Sequence, residues 1–375
     1  MAANILSQIR QEGFSFESLA RQIPVLGELR QVPQNPEYHG EGDVYTHTAM
    51  LCGELTAFPE FSKLPPKDQE LLFLAGAFHD LGKLTATKLE DGKWTSPKHT
   101  IVGAKMFREL VYREAEKFGL TFQEREQVSA LIRGHGLPVW LWTKKRPEYE
   151  LMKTAERVDL RLLYLLSKAD VRGRIGDGKE RMEEDVEHFW ECAKELGLET
   201  GTFSFANPFT RFQYFHKSEL WQGAQLYDTT EFDVWILSGL PLAGKDTWAG
   251  GHGEGIAVIS LDAIREELHI SPASGSAKVA AAANERAKAL LRRREPFIWN
   301  ATNIIEETRQ KICGMCSAYG ARVHFVYLEA PYRELQRRNE KRVRYIPEPV
   351  LEDMIHKFEP PAPWEGYTVE YQVSE

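Results

Sequence analysis

The chain is poor in cysteine, with four among 375 residues, and that scarcity excludes the disulfide scaffold by which small secreted domains are held together. Cys52 and Cys192 stand alone. Cys313 and Cys316 form a single C-x-x-C inside a helical pattern, and one such pair, with no second pair or histidine cluster near it in sequence, cannot close a zinc site; both are expected to be packing residues. No apolar run approaches the roughly 18 residues a membrane span needs. Met1-Ala-Ala-Asn-Ile-Leu6 lacks the charged-then-apolar layout of a secretory signal, so a soluble cytoplasmic protein with no membrane partner is expected. Positive charge is not in excess either. A net charge of -8 argues against a protein that coats nucleic acid non-specifically, because that mode relies on many phosphate neutralisations. It leaves open a grip on one nucleic-acid end through local clusters, of which Arg292-Arg-Arg294 and the segment Arg333 to Arg344 are the candidates. No internal repeat or low-complexity tract is apparent.

The length exceeds that of most single cores and predicts two domains. From Val44 to about Leu196 the apolar residues recur at helical spacing, as in Glu70 to Phe78 and Thr154 to Leu166, with almost no strand-like alternation. After Trp235 the pattern turns to short β-rich runs, Ile256 to Ser260, Phe297 to Trp299 and Val323 to Leu328, separated by helical segments such as Ala277 to Arg293. The expected architecture is therefore multidomain, an all-helical bundle over 1–196 followed by an α/β domain with a parallel sheet over 231–375. Between them, 197–230 carries Phe203, Phe205, Phe209, Phe212, Tyr214 and Phe215, too aromatic for a free linker and expected to pack on one or both domains.

The stretch Val234-Trp-Ile-Leu-Ser-Gly239-Leu-Pro-Leu-Ala-Gly244-Lys245-Asp246-Thr247 reads as a buried strand running into a phosphate-cradling loop and a helix start. Gly239 and Gly244 let successive N–H groups point at phosphate oxygens, Lys245 adds charge toward the outer phosphates, and the helix N-terminus adds its dipole. The usual pattern places Ser or Thr directly after the lysine to hold Mg²⁺. Here that place holds Asp246, with Thr247 one further on, and either can serve the metal. Beyond the loop, Ser260-Leu-Asp262-Ala-Ile-Arg265 puts an aspartate at a strand's carboxyl end, where α/β sheets bind ligands, with an arginine one helical turn on. Such an aspartate can accept the proton of an attacking hydroxyl, and such an arginine can hold an acceptor phosphate bidentately. The ordinary alternative is a helix-capping aspartate with an i+3 arginine partner. Arg338-Asn-Glu-Lys341-Arg342 lies on a charged helix placed where a lid would close over a transferred phosphate.

In the helical half, the doublet His79-Asp80 ends the apolar run Phe73 to Phe78, and His39, His47, His99, His135 and Asp170 lie within or beside other helical segments. Packed helices can aim all of them at one point. Imidazoles with carboxylates suit divalent transition metals, and an aspartate can bridge two ions that activate a water. A lone histidine is more often an ordinary hydrogen-bonded group, but the set is less easily dismissed.

This H…HD…D arrangement resembles the HD phosphohydrolase superfamily over roughly residues 30 to 180, with His47 in Asp43-Val-Tyr-Thr-His47, the doublet His79-Asp80, and Asp170 in Lys168-Ala-Asp170-Val-Arg-Gly-Arg174. Val32 to Asp43 also looks like the lead-in segment of tRNA-nucleotidyltransferase-linked HD domains, which makes His39 a second candidate for the first ligand. The resemblance implies that His99 and His135 bind a second metal and that Lys83 and Arg174 sit near the substrate phosphate, offsetting developing negative charge.

In the second half, the loop, D-x-x-R and R-N-x-x-R in this order resemble the 5′-hydroxyl polynucleotide kinase family over about residues 231 to 360. That implies Lys245 on the outer phosphates of ATP, Asp262 as general base, Arg265 on the acceptor's 3′-side phosphate, and Arg338 and Arg342 as lid residues, with Mg²⁺ as the metal. Asn300 in Phe297-Ile-Trp-Asn300 departs from the acidic residue expected there, and Leu242 fills a loop position often held by glycine.

Together the halves resemble the bacterial HD-Pnk end-healing enzymes. The implied activity phosphorylates 5′-OH ends of RNA or DNA from ATP and, with one or two divalent transition-metal ions, removes 3′-phosphate, 2′-phosphate or 2′,3′-cyclic phosphate, leaving ends for a polynucleotide ligase. The rival readings are a nucleoside or other small-molecule kinase fused to an HD nucleotidase, and a nucleotide-sensing regulator that binds ATP without turnover.

Overall fold

A computed structural model describes residues 4–199, 201–217, 219–253, 255–271, 274–342 and 345–374; the Arg344 end of the second basic segment lies outside them. The chain divides into two compact units, Met1–Phe203 and Ser204–Glu375.

The first unit is a helical bundle built around the helix Pro66–Phe78, in which every residue from Glu70 to Phe78 is buried. A helix apolar on all sides must be central, and this one packs against helices Val44–Ala57, Phe122–Gly134 and Leu160–Arg172. Its glycine has a steric reason: a Cβ at Gly76 would lie 2.9 Å from Leu51 Cδ2. Asp43 caps the helix that carries His47, its carboxylate accepting from the Thr46 amide at 2.8 Å. One departure from the expected all-helical pattern is a two-stranded antiparallel hairpin, Lys88–Glu90 with Lys93–Thr95. Its strands are three residues each and exposed, too short for periodicity to register.

The second unit holds a five-stranded sheet of β1 (Phe232–Ser238), β2 (Ala257–Ser260), β3 (Phe297–Asn300), β4 (Ala321–Glu329) and β5 (Thr368–Val373). All pairings are parallel, in the order β2-β3-β1-β4-β5. Helices cover both faces. On one, Ser276–Arg293 and Glu306–Ser317 bury Ala283, Ala287, Leu291 and Ile312 against Val234, Phe297 and Phe325. On the other, Lys245–His252 packs Ala249 onto Leu237, Ile298 and Val326. Phe212, from the aromatic stretch, belongs to the first of these cores, so that part of the stretch packs in the second unit, whereas Phe203 falls in the first. Cys313 and Cys316 are fully buried there and free, and burial pushes the Cys316 thiol up to about 12. Strand β5 was not expected, although Val369, Tyr371 and Val373 alternate with polar residues in the period-2 manner of a strand.

Candidate metal centre and phosphate site

In the helical unit the turn after His79 folds tightly onto the start of the helix His99–Arg113. A Cβ at Gly82 would stand 2.0 Å from the His99 carbonyl oxygen, so only glycine permits this approach. The approach delivers His99 to Asp80, with Nε2 3.3 Å from Oδ1. His79 Nε2 lies 3.1 Å from Asp80 Oδ2, His47 Nε2 2.9 Å from Asp170 Oδ1, and His135 Nε2 4.0 Å from Asp80 Oδ1. Lys83 Nζ sits 2.7 Å from Asp80 Oδ2 and donates to the buried Gln34 amide oxygen at 2.7 Å. Arg174 donates to both oxygens of Asp170. Six helical segments, or the turns that end them, thus bring His47, His79, Asp80, His99, His135, Asp170, Lys83 and Arg174 together.

The protonation pattern suits a cation. His79, His99 and His135 each place Nδ1 2.8 Å from a main-chain carbonyl three residues earlier, on Gly76, Ser96 and Ile132. A carbonyl can only accept, so Nδ1 carries a proton in each of the three, and whenever such a ring is neutral its bare nitrogen is the Nε2 that it presents to the cluster. His79 Nε2 and Asp80 Oδ1 are buried without a hydrogen-bond partner; the 3.1 Å approach of His79 to Asp80 Oδ2 is close but not aligned as a hydrogen bond. Orphaned acceptors of this kind are costly unless a cation occupies the space between them. Among the described residues, three ligand sets linked by shared histidines, His39 with Glu41 and His47, His47 with His79 and Asp170, and His79 with Asp80 and His135, each have their donor atoms within 4.8 Å of one another.

The electrostatics agree. Burial pushes His135 down to about 3, with His79 adding to it, and burial also lowers His99. Burial opposes ionisation of Asp80, but His79, Lys83 and His99 overcome it and hold the carboxylate well below its ordinary value; Arg174 and His47 do the same for Asp170. His39 stands outside this cluster. Its Nδ1 contacts Glu41 Oε1 at 2.8 Å, and the same oxygen lies 2.9 Å from His47 Nδ1, so Glu41 sits behind His47 and His39 beyond Glu41. Glu41 was not foreseen, and its only signal was its place between two candidate histidines. Hydrogen bonds from His39 and the Ile175 amide, with the close approach of His47 Nδ1, overcome the opposing effect of burial and keep it ionised.

In the second unit, Gly239 adopts φ 147 and a Cβ there would meet the Leu328 carbonyl oxygen at 2.2 Å, so the loop can leave β1 only through glycine. Gly244, at φ 106, precedes the helix. Lys245 is buried, its ammonium donating to the Gly239 and Leu240 carbonyls at 3.0 and 2.8 Å. Burial lowers it to about 8, Asp246 and Asp262 pull it up, and Arg342 pushes it down. Those three groups therefore lie within its field. Leu242 occupies the left-handed region at φ 68, a strained state for a leucine, and Arg338 donates to its carbonyl at 2.7 Å. Asn300, at the end of β3, donates to Asp246 Oδ1 at 2.7 Å. Asp246 and Thr247 are exposed at the helix start.

The helix Leu261–Glu267 is capped by Ser260, which leaves Asp262 free of the capping role that its position allowed. Arg265 donates to the Ser271 and Ser274 carbonyls at 2.9 Å and to Ser276 Oγ at 3.3 Å, so its guanidinium is turned to its own loop and not toward Asp262.

Residues 43–171 match the family model described as the HD domain, and residues 234–361 match one described as an AAA domain. The chain joins an HD domain to a P-loop kinase-like domain. A curated relative, the L-seryl-tRNA(Sec) kinase of Methanococcus maripaludis, is 27% identical over 133 residues, which are 34% of this chain and 52% of the relative. The chain spans about half the length of that relative. Among solved structures, a protein from Chloroflexus aurantiacus described as a candidate kinase is 15% identical at a TM-score of 0.33, and Kti12 of Chaetomium thermophilum with ADP-AlF3 is 17% identical at 0.30. Each of these matches covers 38% of this chain and 88% of the other. Among the described residues no helix of the HD and kinase-like units is long and apolar enough to cross a membrane.

Proposed function

We propose that the HD and kinase-like domains act on the two ends of a nucleic-acid break: the second phosphorylates a 5′-hydroxyl from ATP, the first hydrolyses a terminal 3′- or 2′-phosphate or 2′,3′-cyclic phosphate. The observation that carries the hydrolytic half is the set of bare Nε2 atoms and the orphaned Asp80 oxygen converging beside Lys83 and Arg174. His47, His79, Asp80 and Asp170 would hold one transition-metal ion, and His99 and His135, through Asp80, a second. When bound, such ions supply a water acidic enough to attack a phosphate at neutral pH. Lys83 and Arg174 then place two cations where the phosphate's charge grows, in a site whose burial strengthens each interaction. Glu41 orients His47 through Nδ1.

In the kinase half, Lys245 grips the outer phosphates, Arg338 and Arg342 close over them, and Asp262 accepts the proton as the acceptor hydroxyl oxygen bonds to the γ-phosphorus and the bridge to the β-phosphate breaks, releasing ADP. The usual hydroxyl on the loop and carboxylate on the strand are exchanged: the carboxylate is Asp246 on the loop and the neutral partner is Asn300 on β3. The pair still carries one negative charge, enough to hold Mg²⁺ beside the phosphates. The name of the Methanococcus maripaludis relative points to an acceptor joined to RNA, which favours a nucleic-acid acceptor over a free nucleoside. Arg265 would have to exchange the Ser271 and Ser274 carbonyls and the Ser276 hydroxyl for the acceptor's 3′-side phosphate, so binding the acceptor and releasing these contacts would be one event.

The acceptor comparison tests this reading. Wild type should phosphorylate a 5′-OH oligonucleotide or a nucleoside 3′-monophosphate well and a free nucleoside poorly. Arg265→Ala should cut the first two by roughly 10- to 150-fold in kcat/KM. Equal use of nucleosides and oligonucleotides, unchanged in Arg265→Ala, would transfer the reading to a small-molecule kinase.

A further inference from the structure

The metal cluster opens on one side. The His99 side chain is 24% exposed, whereas those of His47, His79, Asp80, His135 and Asp170 are almost fully buried. The His99 and His135 rings lie 5.5 Å apart, and an exposed segment adjoins each. Before His99 stands the hairpin, its base closed by a 2.9 Å bond between the Thr87 and Ser96 hydroxyls, and the Ser96 carbonyl is the one that fixes His99 Nδ1. After His135 the chain turns through Leu137–Trp140 and Leu141–Thr143 into Lys144 and Lys145.

Both segments present indoles and ammonium groups to solvent. Trp94 on the hairpin is 36% exposed, Trp140 54% and Trp142 44%. A Cβ on Gly136, the residue after His135, would lie 3.7 Å from Trp140 Cδ1, so this indole rests against the backbone that carries the metal-facing histidine. Lys144 and Lys145 are exposed, and among the described residues neither has an ion-pair partner. Lys93 is exposed and reaches only the surface carboxylate of Glu37, at 3.3 Å. Large flat apolar groups interleaved with unpaired cations, in a chain of net charge -8, form a surface whose complement is a polyanion with stackable faces.

We propose that these two segments form a stacking wall for single-stranded polynucleotide, which feeds a terminal phosphomonoester to the metal centre past His99. Bases stack on Trp140 and Trp142 after His135 and on Trp94 of the hairpin before His99, and Lys144 and Lys145 contact the backbone phosphates upstream of the end. The inference rests on the phosphohydrolase reading and adds that the site takes the end of a strand several nucleotides long in preference to a free mononucleotide.

The test compares release of inorganic phosphate from a 3′-phosphorylated oligouridylate of about eight nucleotides, within the usual span of single-strand sites, with release from uridine 3′-monophosphate. The full chain is used, with Mn²⁺, Co²⁺, Ni²⁺ or Zn²⁺ supplied in turn. Wild type should favour the oligonucleotide. Trp140→Ala/Trp142→Ala should lower its kcat/KM on the oligonucleotide by roughly tenfold or more and leave the mononucleotide within about twofold. Trp140→Phe/Trp142→Phe, which keeps a stacking face, should recover most of the loss, and this separates stacking from folding. Lys144→Ala/Lys145→Ala should flatten the fall of log kcat/KM with log salt by up to about 1.4, the value for two single-strand phosphate contacts. Equal rates on the two substrates, or oligonucleotide rates untouched by the tryptophan and lysine changes, would overturn the wall while leaving the phosphohydrolase standing; the surface would then suit a protein partner. Hydrolysis of neither substrate with any of the four metals would overturn both.

Discussion

On the proposed reading the two sites handle the same chemical group, and they are built in opposite ways. The metal centre is assembled before anything arrives: its ligand side chains are buried apart from the partly exposed His99, three of its imidazoles are locked by main-chain carbonyls three residues earlier, and each carboxylate already faces a cation. The phosphate site is anchored on the buried Lys245 and Asn300, with Asp246, Thr247, Asp262 and Arg342 exposed around them. A site that must acidify water needs a fixed, dry ligand shell, whereas a site that transfers phosphate between two bound molecules gains its order when they bind and a lid closes. Losing one group should therefore cost most in the first site and be most recoverable in the second.

The largest expected effects are the two that separate the activities. Asp80→Ala should lower phosphate release by on the order of 10³-fold or more, because it removes several kcal/mol of charge stabilisation, and leave the kinase intact. Lys245→Ala should do the reverse. Paired rate measurements on protein shown to be folded by its thermal transition check both, and loss of both activities in either variant would refute independent sites. Next, Glu41→Gln should weaken metal binding by roughly 10- to 100-fold, the usual cost of a lost partner behind a ligating histidine, read by chelator competition. The kinase should be indifferent. Recovery belongs to the other site: Asp246→Ala should weaken Mg²⁺–ATP binding by roughly 10- to 150-fold, while Asp246→Ser with Asn300→Asp, which returns the carboxylate to the strand, should bind within about tenfold of wild type. If the double change binds no better than Asp246→Ala in calorimetry, the exchanged pair is not the metal site.

The smallest effect is a proton. Lys245 is held at about 8, below its unfolded value, so between pH 8 and 10 the folded chain binds fewer protons than the unfolded one. The burial penalty on its charge is thus felt below pH 8, and stability gains as pH rises through that window. ATP phosphates would restore the charge, so binding should take up about half a proton at pH 8 and approach one near pH 9. Titration calorimetry in buffers of different ionisation enthalpy measures this uptake, and a value near zero at pH 9 would place Lys245 away from the phosphates.

What could be read from the sequence follows the same division. The fold class was legible because its signals are local: a helical period from Val44 onward, β-rich runs after Trp235, and two glycines framing a lysine. Gathering His47, His79, Asp80 and Asp170 needed a family pattern, since helices far apart in the chain supply them. Glu41 lay in an irregular loop whose return to His47 no periodicity announces. The Asp246–Asn300 bond spans 54 positions, and the contacts of Arg265 with Ser271, Ser274 and Ser276 are not encoded in side-chain spacing. The hairpin and its Trp94 were hidden by strands of three residues.

The central claim, that both ends of one strand are substrates, is tested most directly by incubating the wild-type chain with Mg²⁺, Mn²⁺, γ-labelled ATP and an oligonucleotide bearing a 5′-OH and a 3′-phosphate, and following both ends of the same molecules. The account predicts strands that gain label at the 5′ end and lose the 3′-phosphate, with label transfer abolished in Lys245→Ala and dephosphorylation abolished in Asp80→Ala. Label transferred to a free nucleoside as fast as to the strand, with the 3′-phosphate intact, would contradict it.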